Sequence, residues 1–177
     1  LERWKLFDNL RRSLVPPALV LLFLLGWTVL PGSPWAWTAI GLSVPALPLF
    51  QLILGTIVAA IRGKTVAPFA RWRDSLPATI GQVGMAIAFL AYQARTMLDA
   101  IARTLARLFV SRRNLLEWET AATTERRLGA DLASFVGTMW PSVIVAGAGA
   151  LLVFVARPSA LAAASPVLTA WALAPFV

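Results

Sequence analysis

The sequence predicts an all-α membrane protein: four transmembrane helices in two hairpins, with an amphipathic, interfacial helical insertion between them. Three observations carry that expectation. Hydrophobic residues make up 59% of the 177 positions and charged residues only 14%, against roughly 25% charged in ordinary globular domains, so lipid is the solvent for much of the surface. The charges are also segregated: fifteen of the 16 basic residues fall in 3–12, 62–73 and 95–127, and the remaining one is Arg157. Between these clusters lie charge-free runs, the longest reaching from Ser13 to Ile61. A nucleic-acid-binding protein can also carry a net charge of +8, but it does not set its arginines at the ends of such runs. No nucleic-acid partner is expected.

The run from Ser13 to Ile61 is too long for one crossing, since a helix spans the hydrocarbon with about 20 residues. Pro31-Gly32-Ser33-Pro34 breaks it with a strong turn signal. The reading is a hairpin over residues 1–62, with spans at about 14–30 and 35–61. Trp27, Trp35 and Trp37 flank the turn, where indole rings favour the headgroup layer. Pro16 and Pro17 suit the first turn of the first helix, where a missing N–H leaves nothing unpaired. Pro45 and Pro48 are expected to kink the second. Arg3, Lys5, Arg11 and Arg12 precede the hairpin, Arg62, Lys64, Arg71 and Arg73 follow it, and its turn is uncharged. By the positive-inside rule both ends are cytoplasmic and the turn is outside.

Residues 63–139 form the insertion. Ser75–Ala94 is charge-free, and Arg95, Asp99, Arg103 and Arg107 follow at spacings of four. That spacing draws a charged stripe opposite Leu98, Ile101, Leu105, Leu108 and Phe109. A crossing at 96–110 would bury three charges at roughly 2.5–3.5 kcal/mol each. The stretch 75–110 is therefore read as helical, in or against the cytoplasmic interface; a true span at 75–94 is the alternative. Residues 111–133 read as a polar helical stretch with Ser111 as its cap. The second hairpin occupies 140–177, with spans at about 140–156 and 160–177 around the break Arg157-Pro158-Ser159. Ala146 and Ala150, with Gly147 and Gly149 beside them, supply small residues for close helix packing. The chain begins without Met and stops within an apolar segment, as a piece of a longer protein would.

Little here carries catalytic chemistry. The chain has no Cys and no His, so thiolate chemistry and the commonest proton shuttle and metal ligand are absent. Glu117 and Glu119 point to different helix faces. Arg71-Trp72-Arg73 beside a membrane brings to mind the Gln-x-x-Arg-Trp motif of processive sugar-polymer synthases, but Pro68 stands where the Gln is required. No catalytic or metal-ligating residue is assigned. Interfacial anchoring accounts for Trp27, Trp35, Trp37, Trp140 and Trp171. The remaining Trp4, Trp72 and Trp118 sit among Arg71, Arg73, Arg112 and Arg113, and these seven are the candidate binding residues. Indole faces with guanidinium groups suit a glucan, a lipid headgroup or a docked domain. The stripe from Arg95 to Arg107 reads as a ladder of i,i+4 ion pairs.

Two stretches, KLFDNLRRSLVPPA at 5–18 and LFVSRRNLLEW at 108–118, resemble the cyclic β-1,2-glucan synthases of bacterial inner membranes. The resemblance implies a large inner-membrane enzyme whose cytoplasmic glycosyltransferase domain uses UDP-glucose and a divalent metal. Paired spans follow that domain, and glycoside-phosphorylase-like domains come later. This chain would be the membrane segment after the glycosyltransferase domain, holding no cofactor itself. Its partners would be the bilayer, those neighbouring domains of the same polypeptide and the growing glucan. A transporter or channel module, for which Gln51 is the sole mid-membrane polar candidate, and a passive anchor are the competing readings.

Overall fold

The computed structural model describes residues 2–63, 67–111 and 132–177, all of them helical or in short connections. The helices are α1 (Glu2–Thr28), α2 (Pro34–Ser43), α3 (Leu47–Ile61), α4 (Ala67–Ala88), α5 (Leu90–Ala106), α6 (Leu132–Ala156) and α7 (Leu161–Leu173). One π turn, Arg107–Ser111, extends α5, and a 3-10 turn, Pro158–Ala160, joins α6 to α7. Among the described residues, three segments are long and apolar enough to cross a bilayer: Phe7–Thr28, Val136–Ala156 and Pro158–Phe176. The number rises to five if each of two bent pairs, α2 with α3 and α4 with α5, is one span.

One expectation about proline needs correction, and a second, the kink at Pro45 and Pro48, is met by a sharp bend. Pro16 and Pro17 do not start a helix; α1 runs unbroken through them from Glu2. Their missing N–H groups free the carbonyls of Arg12 and Ser13, which lie at the charged end of the apolar run, where an unpaired carbonyl costs less than it would deep in hydrocarbon. Pro45 and Pro48 do more than kink a single span. The chain turns by 71° between α2 and α3, because two helical N–H donors are lost within four residues. Shorter bonds bridge the gap, from Leu47 N to Val44 O (3.2 Å) and from Leu49 N to Ala46 O (2.9 Å). Beyond the bend, α3 is apolar apart from Gln51 and Thr56, buries no residue and lies against α4, as suits a helix largely solvated by lipid.

The core lies where α1, α5, α6 and α7 meet. Leu19, Phe23 and Trp27 of α1 pack with Leu90 and Ala91 of α5, Ala146 and Val153 of α6, and Val167, Leu168 and Trp171 of α7. Part of the predicted insertion is therefore built into the bundle: α5 lies directly along α1. Trp27 and Trp171, read from sequence as interfacial anchors, are fully buried. With Phe23 they form an aromatic triangle, its centroid separations 5.2, 6.1 and 6.3 Å, one pair stacked and one edge-on. Trp35 and Trp140 stay exposed, as interfacial rings should.

Burying Trp27 requires a partner for its indole N–H. Thr38 supplies it: Trp27 Nε1 donates to Thr38 Oγ1 at 2.8 Å, and that hydroxyl sits 3.0 Å from Pro34 O and 3.2 Å from Ala163 O. One buried hydroxyl thus joins α1, α2 and α7. Close approach makes this possible. A Cβ on Gly41 would fall 2.4 Å from Phe23 Cε1, and one on Gly26 would fall 2.5 Å from Trp37 Cβ. On α6 the inward stripe is Ser142, Ala146, Gly149 and Val153, while Gly147 faces open space. The small-residue face was legible, but its centre is shifted from the predicted one.

Arg157 Nη2 donates to Gly32 O at 3.1 Å. The turn after α1, where Gly32 adopts φ +99°, and the turn after α6 therefore lie at the same end of the bundle. Replacing Thr38 by Val strands the Trp27 N–H in a dry core and is expected to cost about 1–3 kcal/mol. Thr38→Ser keeps the acceptor and should retain most of that stability. Denaturation in mixed micelles, followed by near-ultraviolet circular dichroism of the buried indoles, measures both.

Candidate functional site

The basic residues at the start of the chain project from a helix that outruns the membrane. At 27 residues, α1 is about 40 Å long at the usual helical rise, against about 30 Å of hydrocarbon. The end that stands clear is the charged one. There Asp8 serves two arginines: Arg11 Nη2 lies 2.9 Å from its Oδ1 and Arg12 Nη2 lies 2.8 Å from its Oδ2. The spacings of three and four residues make this geometry automatic on a helix. Trp4, Phe7, Leu10 and Leu14 share another stripe of the same helix and are exposed, with the Trp4 and Phe7 rings 6.1 Å apart. A shallow groove of about 300 Å³ follows that stripe from Phe7 to Ala18, with Arg11 at its edge.

The second basic group opens α4. Arg71, Trp72 and Arg73 lie in its first turns. Trp72 is half-buried and engaged with a neighbour. Arg73 is exposed, its Nε 3.7 Å from Asp74 Oδ1, an ion pair too long to be a hydrogen bond. Trp4 and the Arg71–Arg73 group thus stand on different helices. Arg112, Arg113 and Trp118 lie outside the described residues, as do Glu117 and Glu119.

The third group is the stripe on α5. Asp99 and Arg103 pair bidentately, with Arg103 Nε 3.0 Å from Asp99 Oδ1 and a second contact from Nη2 to Oδ2. Within the predicted ladder, this is the rung between adjacent members that the structure forms. Leu98, Leu105, Leu108 and Phe109, the apolar side of the same segment, are exposed. Among the described residues no three acidic side chains gather around a common point that could hold a metal ion. Gln51, the polar residue predicted at mid-membrane, lies exposed on α3, at the far end from Arg62 of a shallow surface groove that passes Gly55, and outside the four-helix core.

On α5 guanidinium groups stand on one side and alkyl groups on another, whereas on α1 Arg11 borders the same exposed groove as Phe7, Leu10 and Leu14. The arrangement can seat a helix at a lipid–water boundary or offer a docking face. Sequence reasoning passed over Asp8, although its spacing to Arg11 and Arg12 marks it as a shared acceptor. Because these pairs are exposed, Asp8→Asn is expected to change unfolding stability by less than about 1 kcal/mol. A chemical denaturation curve of the variant in detergent checks this.

No family model matches the chain. Among curated proteins it is similar to the cyclic beta-(1,2)-glucan synthase NdvB of Rhizobium meliloti (strain 1021), with 33% identity over 186 aligned residues. That alignment takes in 100% of this chain and 6% of NdvB, so the chain spans a small fraction of its relative's length. From end to end, then, this helical chain is similar to one segment of a cyclic β-(1,2)-glucan synthase.

Proposed function

We propose that this chain is the membrane-embedded part of a bacterial cyclic β-1,2-glucan synthase, and that it anchors and supports a cytoplasmic, UDP-glucose-dependent glycosyltransferase domain of the same polypeptide. The observation that carries the reading is the similarity to NdvB along the entire chain. The fold is compatible with it: apolar helices for the bilayer, and basic, tryptophan-bearing helix ends that stand clear of the core. In this reading the module lies in the inner membrane with both ends of the chain in the cytoplasm. Trp4, Arg71, Trp72, Arg73, Arg112, Arg113 and Trp118 form the face turned toward the glycosyltransferase domain, and the growing glucan passes near it. The sugar nucleotide and a divalent metal are held by that domain, outside this segment. The segment's contribution is positional, keeping the reacting domain at a fixed height and orientation over the membrane.

A passive anchor would tolerate changes on that face, and a transporter would need polar groups inside the bundle. Among the described residues the core holds alkyl and aromatic side chains, with Thr38 and Ser142 the buried polar ones, both hydrogen-bonded within the fold. In the full-length synthase, replacing Trp4, Arg71, Trp72 and Arg73 together by Ala is expected to lower glucan synthesis about tenfold or more, equivalent to about 1.4 kcal/mol of lost transition-state stabilisation. Membrane insertion and expression should stay normal. Undiminished synthesis by a correctly inserted variant would refute the supporting role and leave an anchor.

A further inference from the structure

α5 enters the bundle and then leaves it along a single face. Leu90, Ala91 and Ala94 are buried against α1 and α6, but Leu98, one turn further, is 53% exposed, and Ala102 is exposed as well. The helix therefore diverges from its neighbours, and a groove of about 480 Å³ opens in the wedge. Its walls are Val20 of α1, Val145 of α6, and Ala91, Ala94, Leu98 and Ala102 of α5; Arg95 and Asp99 stand beside them. Three of the six apolar wall residues are alanines, too short to fill the space. Such a volume is in the usual range for small-molecule sites, about 300–1,000 Å³.

The lining decides the chemistry of the occupant. Alkyl walls give a water no partners, and they give a sugar hydroxyl none either. Val20 lies eight residues beyond Arg12 in the charge-free part of α1, about 12 Å along the helix, so the groove opens at the depth of the acyl chains nearest the basic end. The polar rim is Arg95 and Asp99. Asp99 engages Arg103 rather than Arg95, so the exposed Arg95 guanidinium is the charge the groove offers a ligand. A guanidinium beside an alkyl furrow is complementary to a phosphate ester carrying a hydrocarbon chain.

We infer that the wedge between α1, α5 and α6 is a binding site for an anionic phospholipid of the adjoining leaflet, with one acyl chain between Val20, Ala94, Leu98 and Val145 and the phosphate on Arg95. The site depends on the bilayer placement of α1 and α6 and not on the supporting role proposed above, so the two can fail separately. Native mass spectrometry of the detergent-purified chain, exchanged against phosphatidylglycerol or phosphatidylcholine of identical acyl chains, tests it. The wild type should hold one phosphatidylglycerol at least about fivefold more tightly than phosphatidylcholine, and Arg95→Gln should bring that ratio close to one. Ala102→Phe, at an exposed position where folding tolerates a larger side chain, fills the furrow and should weaken both lipids by a similar factor. Circular dichroism confirms that both variants keep the wild-type helix content. Equal retention of the two lipids by the wild type, a preference that survives Arg95→Gln, or undiminished lipid binding by Ala102→Phe would each overturn the site. Retention of a glucan in place of lipid would overturn it too.

Discussion

An ionised side chain in the middle of a bilayer costs roughly 2.5–3.5 kcal/mol on insertion scales, and this chain obeys that constraint almost everywhere. Among the described residues its arginines stand at the start of α1, just after α3, at the start of α4, on the exposed side of α5 and in the turn after α6. Once they are kept out of hydrocarbon, the apolar segments have few ways to thread. The separate position of Arg157 fits the same rule. It sits in the turn between α6 and α7 and donates to a backbone carbonyl of the uncharged turn after α1, so a single cation ties the two connections together at the end of α1 opposite its basic cluster.

Within the bundle, apolar burial alone would not choose one packing, because lipid tails solvate leucine as well as protein does. Specificity comes instead from close contact and from one polar node. Gly26 and Gly41 let α2 approach α1 until the Trp37 and Phe23 side chains meet backbone. Thr38 then accepts from Trp27 while facing carbonyls of α2 and α7. A helix with the same hydropathy but without these residues would pass the same composition test and pack differently. The sharp bend after α2 follows from this seating: α2 is fixed against α1 and α7, and α3 is left to lipid and α4.

Much of this was legible in the residues. The apolar runs, the Pro31–Pro34 turn, the break at Arg157-Pro158 and the amphipathic stripe on α5 follow from local pattern, because hydropathy and periodicity are local quantities. The fate of the prolines was not, since Pro16 and Pro17 read alike for a helix start and a helix interior until the preceding turn is seen. The roles of Trp27 and Trp171 were hidden for another reason. A tryptophan near a span end reads as interfacial until distant elements are seen to cover it. Here Thr38 gives the Trp27 N–H an acceptor 11 residues away. Phe23 packs on the Trp171 ring across 148 residues, while the Trp171 N–H is left without a partner among the described residues. The candidate face was legible as composition, basic and aromatic. The structure places Trp4 on α1 and Arg71–Arg73 on α4, and the wedge beside Arg95 arises only from the divergence of helices distant in sequence.

The threading can be tested by placing single cysteines, in a chain that has none of its own, at Ser33, Ser159 and Arg73, and labelling them with a membrane-impermeant maleimide in intact cells and in inverted vesicles. The account predicts that positions 33 and 159 react from the periplasm and position 73 only from the cytoplasmic side. Labelling of 33 and 159 from opposite faces, or of 73 from the same face as both, would contradict it.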